Sequence, residues 1–217
     1  KTLTDASGKT RSYEYNAYGQ VTSAKDPLGN TLRLVHDTRG NVIEVIDPNG
    51  ARTRMQYDRR SLLVGSTDPL GHTTGYDWNA NGWLTHIRQA NGQKVSYSYD
   101  AAGRITQHQE HDAQGALQKT ATYTYDEAGN LLGWNDGTYS AQRTHDDADR
   151  LTKETITYGT GQGSFTLSHA YSYHGNGQIK TYTGPDGLTI GYNYDGAAQL
   201  EQMDIPGEGS LAVTDWQ

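Results

Sequence analysis

One pattern, aromatic–Asp–x–x–Gly–x–apolar, returns along this chain often enough to rule out most folds. Copies begin at Tyr99-Asp100 and Tyr125-Asp126, and at Tyr57-Asp58 and Tyr194-Asp195 with Ser61 and Ala198 in place of the Gly. Looser copies begin at Tyr15-Asn16, His36-Asp37, Tyr76-Asp77, His145-Asp146 and Tyr173-His174. The nine aromatic positions are 19 to 28 residues apart, most of them close to 21. Self-similarity at such a period marks an array whose units are stable only against their neighbours.

A second mark falls about midway between the first ones. Asp26-Pro27-Leu28-Gly29, Asp47-Pro48-Asn49-Gly50 and Asp68-Pro69-Leu70-Gly71 are its clearest forms. Weaker forms follow at Asn91-Gly92, Asp112-Ala113-Gln114-Gly115, Asn135-Asp136-Gly137 and Pro185-Asp186-Gly187. Both marks read as turns. Asp at the first position accepts backbone N–H bonds, Pro at the second presets φ, and Gly at the fourth tolerates a positive φ. A type I turn followed by a left-handed glycine is a common hairpin closure. In the first half the turns open every ten or eleven residues, from Asn16 to Asp68. That leaves six or seven residues for each strand, a usual strand length.

The segments between turns alternate with period two, as at Val95/Tyr97/Tyr99, Tyr13/Tyr15, Tyr123/Tyr125, Tyr171/Tyr173 and Ile190/Tyr192/Tyr194. Period two puts each set on one face of a sheet. Helix is not expected, because Gly or Pro-Gly turns interrupt most of the chain every ten residues or so. The expectation is an all-β array of about nine hairpin repeats over residues 1–217, with roughly 18 antiparallel strands and no second domain.

Composition suits a one-layer sheet. Leu, Ile, Val and Phe make up only about 15% of the chain, below the roughly 20% of a well-cored domain. Yet there are 16 Tyr, 4 Trp and 26 Gly, and the net charge is −7, so the chain does not have the aromatic-poor signature of disorder. Tyr supplies a broad ring for cross-strand contact and a hydroxyl that can stay wet. Mild acidity with no Lys/Arg stripe argues against a nucleic-acid surface. No apolar run is long enough to span a membrane as a helix. With no Cys, disulfides and thiolate metal sites are excluded. The start at Lys1, without Met, reads as an excised piece of a longer protein. Unpaired edges are then expected near Lys1–Tyr15 and Tyr192–Gln217. The strand around Tyr13 and Tyr15 would be the less protected of the two, since Pro206 and Glu208 blunt the other.

The repeat resembles that of the Rhs/YD family, the bacterial Rhs and toxin-complex shell proteins. The likeness rests on units such as Tyr99-Asp100-Ala101-Ala102-Gly103-Arg104-Ile105-Thr106 and Tyr125-Asp126-Glu127-Ala128-Gly129-Asn130-Leu131. It implies tandem antiparallel YD hairpins forming a curved spiral sheet, part of a hollow shell around a C-terminal toxin or effector polypeptide. The implied partners are adjacent repeats and that C-terminal segment, with secretion machinery or a cell-surface glycan as further possibilities. The implied location is secreted or at the cell surface of a bacterium. No variable toxin segment and no self-cleaving core region is recognisable in the chain.

Several groups could carry chemistry, and each has a plainer reading. In His108-Gln109-Glu110-His111-Asp112, period two puts His108 and Glu110 on one face and His111 on the other, against a metal site. Asp26, Asp47 and Asp68 recur with the turns, and turn duty accounts for them. Gly159-Thr160-Gly161-Gln162-Gly163-Ser164 lacks the Lys and the following helix of a phosphate loop. Asp146, Asp147 and Asp149 lack the spacing and closing Glu of a calcium loop. Trp78, Trp83, Trp134 and Trp216 could stack on sugars, but suit a strand ladder as well. The expectation is a structural segment that is no enzyme, with no catalytic, cofactor-binding or metal residue and no cofactor. A glycan- or cell-surface-binding repeat module is the alternative.

Overall fold

The computed structural model describes residues 1–207 and 209–212. Among these are twenty β-strands and a single short 3-10 turn, Gly161–Gly163. Two compact units divide the chain: residues 1–104 with 108–118, and residues 105–107 with 119–217. Both are all-β and antiparallel. In unit 1 every strand from Thr2–Thr4 to Lys94–Tyr99 pairs with its neighbours in sequence. Unit 2 repeats this from Leu117–Tyr125 to Gly209–Ala212.

The turns close as their residues demand. At Asp100 the backbone N–H donates to Arg104 O at 3.0 Å, and Gly103 N–H donates back to Asp100 O at 3.1 Å. The same pair of bonds recurs at Asp26, Asp37, Asp47, Asp58, Asp68 and Asp126. The fourth residue is left-handed, φ +83° at Gly103, which is the type I turn with a glycine bulge. At Ser61, Asp149 and Ala198 the position holds a non-glycine at φ 60–65°, a conformation that L-residues adopt at a cost.

Two expectations are corrected here. The fourth copy of the repeat turns at Asn79, whose N–H donates to Trp83 O, and its aromatic residue is Trp78. Tyr76-Asp77 lies inside the strand Thr73–Trp78. The true period is therefore 21 from Tyr15 through His36, Tyr57 and Trp78 to Tyr99. Secondly, the strand Thr10–Tyr15 is covered over residues 10–13 on the side expected to be unpaired. Thr2–Thr4 pairs with it from one side and Val21–Lys25 from the other, and Tyr13 N–H donates to Lys1 O at 2.7 Å. The residues ahead of the first repeat unit can pair because Thr2–Thr4 is itself a β-branched alternating segment. The expectation for Glu208 at the other end lies outside the described residues.

Each unit is one layer thick. Only Ala121 and Ala141 are buried hydrophobic residues among those described. The register nevertheless sorts most side chains by face, Val35 and Ile46 on the charged face of unit 1 and the Arg143–Glu154 ion pair on the aromatic face of unit 2 being exceptions. In unit 1 the rows Tyr13–Ala24–Leu32, Leu34–Val45–Thr53, Met55–Ser66–Thr74 and Tyr76–Ile87–Val95 run across one face. The other face carries Lys25, Arg33, Glu44, Arg52, Arg54, Asp77, Arg88 and Lys94. In unit 2 the row Tyr123–Trp134–Ala141–Ile156–Leu167 marks an aromatic and aliphatic face. Its opposite face carries hydroxyl pairs such as Thr144–Thr152, Ser172–Thr181 and Thr183–Thr189.

Candidate functional site

The repeated aspartates are consumed by their own turns. Asp58 Oδ1 accepts the N–H groups of Arg60 and Leu62 at 2.8 and 2.9 Å, and Oδ2 accepts from Arg60 Nε. Asp26 and Asp68 do the same, with Asn30 or His72 on the second oxygen. Asp47 holds the N–H groups of Asn49 and Ala51. A carboxylate that accepts several donors is favoured in its charged form. The Asn30 amide holds Asp26 below the ordinary carboxylate range, and the His72 ring does so for Asp68. At Asp136 the N–H groups of Tyr139 and Thr138 bring the carboxyl down to about 2.

In four of the repeats the aromatic residue before the turn bonds to the preceding repeat. Trp78 Nε1 donates to Leu63 O at 2.7 Å, Tyr99 OH to Leu84 O at 2.6 Å, and Tyr173 OH to Leu151 O at 2.6 Å. These carbonyls lie beyond the point where the inter-hairpin ladder stops, at Gly65 before Leu63 for example. A register shift at Trp78, Tyr125 and Tyr173 marks the bulge that ends the pairing. A buried carbonyl without a donor is costly, so the position calls for a ring with a donor at its far end. Tyr99, Tyr125, Tyr173 and Trp78 meet this need. The sequence reading saw the rings but missed the hydroxyl's acceptor, because the bulge that frees the carbonyl leaves no mark of its own.

A second link joins consecutive Asp turns. The fifth residue of one turn reaches the left-handed residue of the next. Asn41 Nδ2 donates to Ser61 Oγ at 3.1 Å, Asn130 Nδ2 to Asp149 Oδ1 at 2.8 Å, and Gln178 Nε2 to Ala198 O at 2.8 Å. At Gly40 and Gly103, where the next turn has glycine, the side chain lies over it: a β-carbon on Gly40 would meet Gln20 Nε2.

The remaining candidates fall apart or find structural partners. His108 Nε2 is 3.6 Å from Glu110 Oε1, and its ring stacks on Tyr97. Among the described residues no three His, Asp or Glu side chains converge as a metal site. Asp112, whose turn looked irregular in sequence, closes like the others and accepts from Gln114 and Ala116 N–H. Asp146 is held by Arg150, and Asp149 belongs to the link just described. Gly161–Gly163 forms the 3-10 turn between two long strands. Trp78 is spent on Leu63 O, Trp83 lies against Tyr99 at 5.4 Å between centroids, and Trp134 sits in the aromatic row of unit 2. Trp216 lies outside the described residues. No helix is long and apolar enough to cross a membrane among those described.

A sequence profile described as RHS Repeat matches residues 1–31, 36–74 and 78–117, just over half of the chain. The chain belongs to the RHS-repeat family. A second profile, Teneurin YD-shell, matches residues 110–212. No curated protein matches this RHS-repeat chain significantly. Among solved structures it is similar to a TcdB2-TccC3 complex, with TM-score 0.54 and 15% identity over 96% of this chain and 15% of that one. It is also similar to the Tc holotoxin pore of Photorhabdus luminescens, with TM-score 0.51 and 13% identity over 96% of this chain and 12% of that one. At such identity the likeness is one of fold. The RHS-repeat chain spans less than a sixth of the length of these relatives.

Proposed function

We propose that this chain is a non-catalytic wall segment of a shell that isolates a toxic or effector polypeptide of its own parent protein. The observation that carries the reading is the two-faced single layer. A sheet with aliphatic and aromatic side chains on one face and ionic or hydroxyl groups on the other is stable in a wall whose polar side meets water. The apolar face would then line the enclosed space. The aspartates support the non-catalytic part of the reading, since their oxygens are engaged by turn N–H groups and by their own repeat's side chains. The relatives point the same way, one of them being described as TcdB2-TccC3 without its hypervariable C-terminal region. On this reading the protein is exported, and its partners are adjacent repeats and the enclosed segment. Glycan binding through Trp finds less support, because Trp78 and Trp83 are engaged between repeats.

The test is protease protection in the full parent polypeptide. The segment following the wall should resist proteinase K while the wall is folded and become sensitive once a denaturant opens it. Equal digestion with the wall intact would overturn the proposal.

A further inference from the structure

Six of the chain's eleven arginines lie between positions 33 and 60, and the register gathers three of them on the charged face of unit 1. Arg33 and Arg52 are both direct cross-strand partners of Ile46, two strand spacings or about 10 Å apart. Arg52 Nη1 donates to Glu44 Oε2 at 2.8 Å and Arg54 Nε to Glu44 Oε1 at 3.0 Å. One carboxylate thus serves two of the three guanidiniums. Arg33 has no ion-pair or hydrogen-bond partner among the described residues. The Arg52 and Arg54 side chains remain 50% and 63% exposed. A guanidinium presents a planar fork that matches a carboxylate with two parallel bonds.

We propose that this face docks an acidic, extended polypeptide segment, whose carboxylates bridge Arg33 and Arg52 across Ile46. An extended peptide turns every second side chain to one face, a repeat of about 6.7 Å, and this is also the spacing of Arg52 and Arg54 along their strand. Duplex nucleic acid fits the face less well. Its charges come every 1.7 Å or so along the axis, far more densely than the three guanidiniums are placed.

The test uses the whole chain and a fluorescein-labelled nonapeptide of alternating Glu and Ser, followed by anisotropy. Saturable binding at 25 mM salt is expected, weakening steeply towards 200 mM. Arg33→Glu should weaken it at least tenfold and Arg33→Gln several-fold, with the melting curve unchanged. Arg33→Gln keeps a polar side chain at an exposed site, so it reads out binding even where the reversal disturbs folding. No saturable binding, equal binding by Arg33→Gln, or tighter binding of a single-stranded oligonucleotide of equal charge would overturn the proposal. The outcome is independent of the shell reading, which concerns the opposite face.

Discussion

The Trp83 indole lies against Gly103 of the following turn, so closely that a β-carbon on Gly103 would stand 2.8 Å from the ring. Trp83 is the fifth residue of its own turn and Gly103 the left-handed residue of the next. The contact is therefore the apolar form of the link that Asn41 makes to Ser61 by a hydrogen bond.

Substitution of glycine by alanine should separate backbone strain from this contact. Gly115, at φ +84°, has nothing within 4 Å of a built β-carbon. Gly115→Ala should cost about 1 kcal/mol through its left-handed backbone alone. Gly103→Ala should cost roughly 1–3 kcal/mol more, because Trp83, wedged against Tyr99, has to shift. Gly103→Val should be worse still. Equal losses in denaturant midpoint would contradict the link.

The three non-glycine residues in the left-handed position give the converse test. Ala198 is contacted through its backbone oxygen, so Ala198→Gly keeps the link and should stabilise by about 0.5–1 kcal/mol. Ser61→Gly relieves the same strain but loses the Asn41–Ser61 bond, about 1 kcal/mol, and should be nearly neutral. Urea titration reads both. A gain at Ser61 as large as that at Ala198 would remove energetic weight from the bond.

Tyr99→Phe and Tyr173→Phe should each cost about 1 kcal/mol or more, because Leu84 O and Leu151 O lose their donors. Burial raises the Tyr99 hydroxyl above its ordinary value. Tyr57 makes no hydrogen bond through its hydroxyl among the described residues, and Tyr57→Phe should be silent. Chemical denaturation of the three variants measures the difference.

The turn aspartates set the acid limit. Asp26, Asp37, Asp58, Asp68, Asp100, Asp126 and Asp146 are all held below the usual 3.8 by turn donors, and Asp136 falls to about 2. A carboxyl with a depressed folded value stabilises the fold above its unfolded value and stops doing so as pH falls through the folded one. The melting temperature should accordingly hold steady from pH 7 to 5 and fall between about pH 4 and 2. Asp136→Asn should flatten the lower part of that fall. A melting temperature that dropped already between pH 7 and 5 would contradict this account.

Much of this was legible in the sequence because turns and strands announce themselves locally. Asp at the first turn position and Gly at the fourth state the closure, and period two states the faces. What stayed hidden depends on residues some twenty positions apart. The copy at Trp78-Asn79 was passed over for Tyr76-Asp77, since the tyrosine matched the repeat by name while the bulge geometry accepts any ring carrying a donor. The Thr2–Thr4 strand was hidden for a related reason, as it precedes the first aromatic–Asp unit and carries no repeat mark. Asp112 looked degraded without Pro, yet its N–H acceptance is the part of the turn that matters. The links from Asn41 to Ser61 and from Trp83 to Gly103 join positions of quite different chemistry, so no shared residue type betrays them.

The central claim is that the apolar face of the layer bounds the space holding another part of the parent chain. Val45 and Glu44 are adjacent in one strand and stand on opposite faces. A photo-crosslinking amino acid placed at each position in turn, in the full parent polypeptide, tests the claim directly. Crosslinks from position 45 to the segment following the wall, and none from position 44, are the predicted result. Crosslinks from position 44 alone, or from neither position in a folded protein, would contradict it.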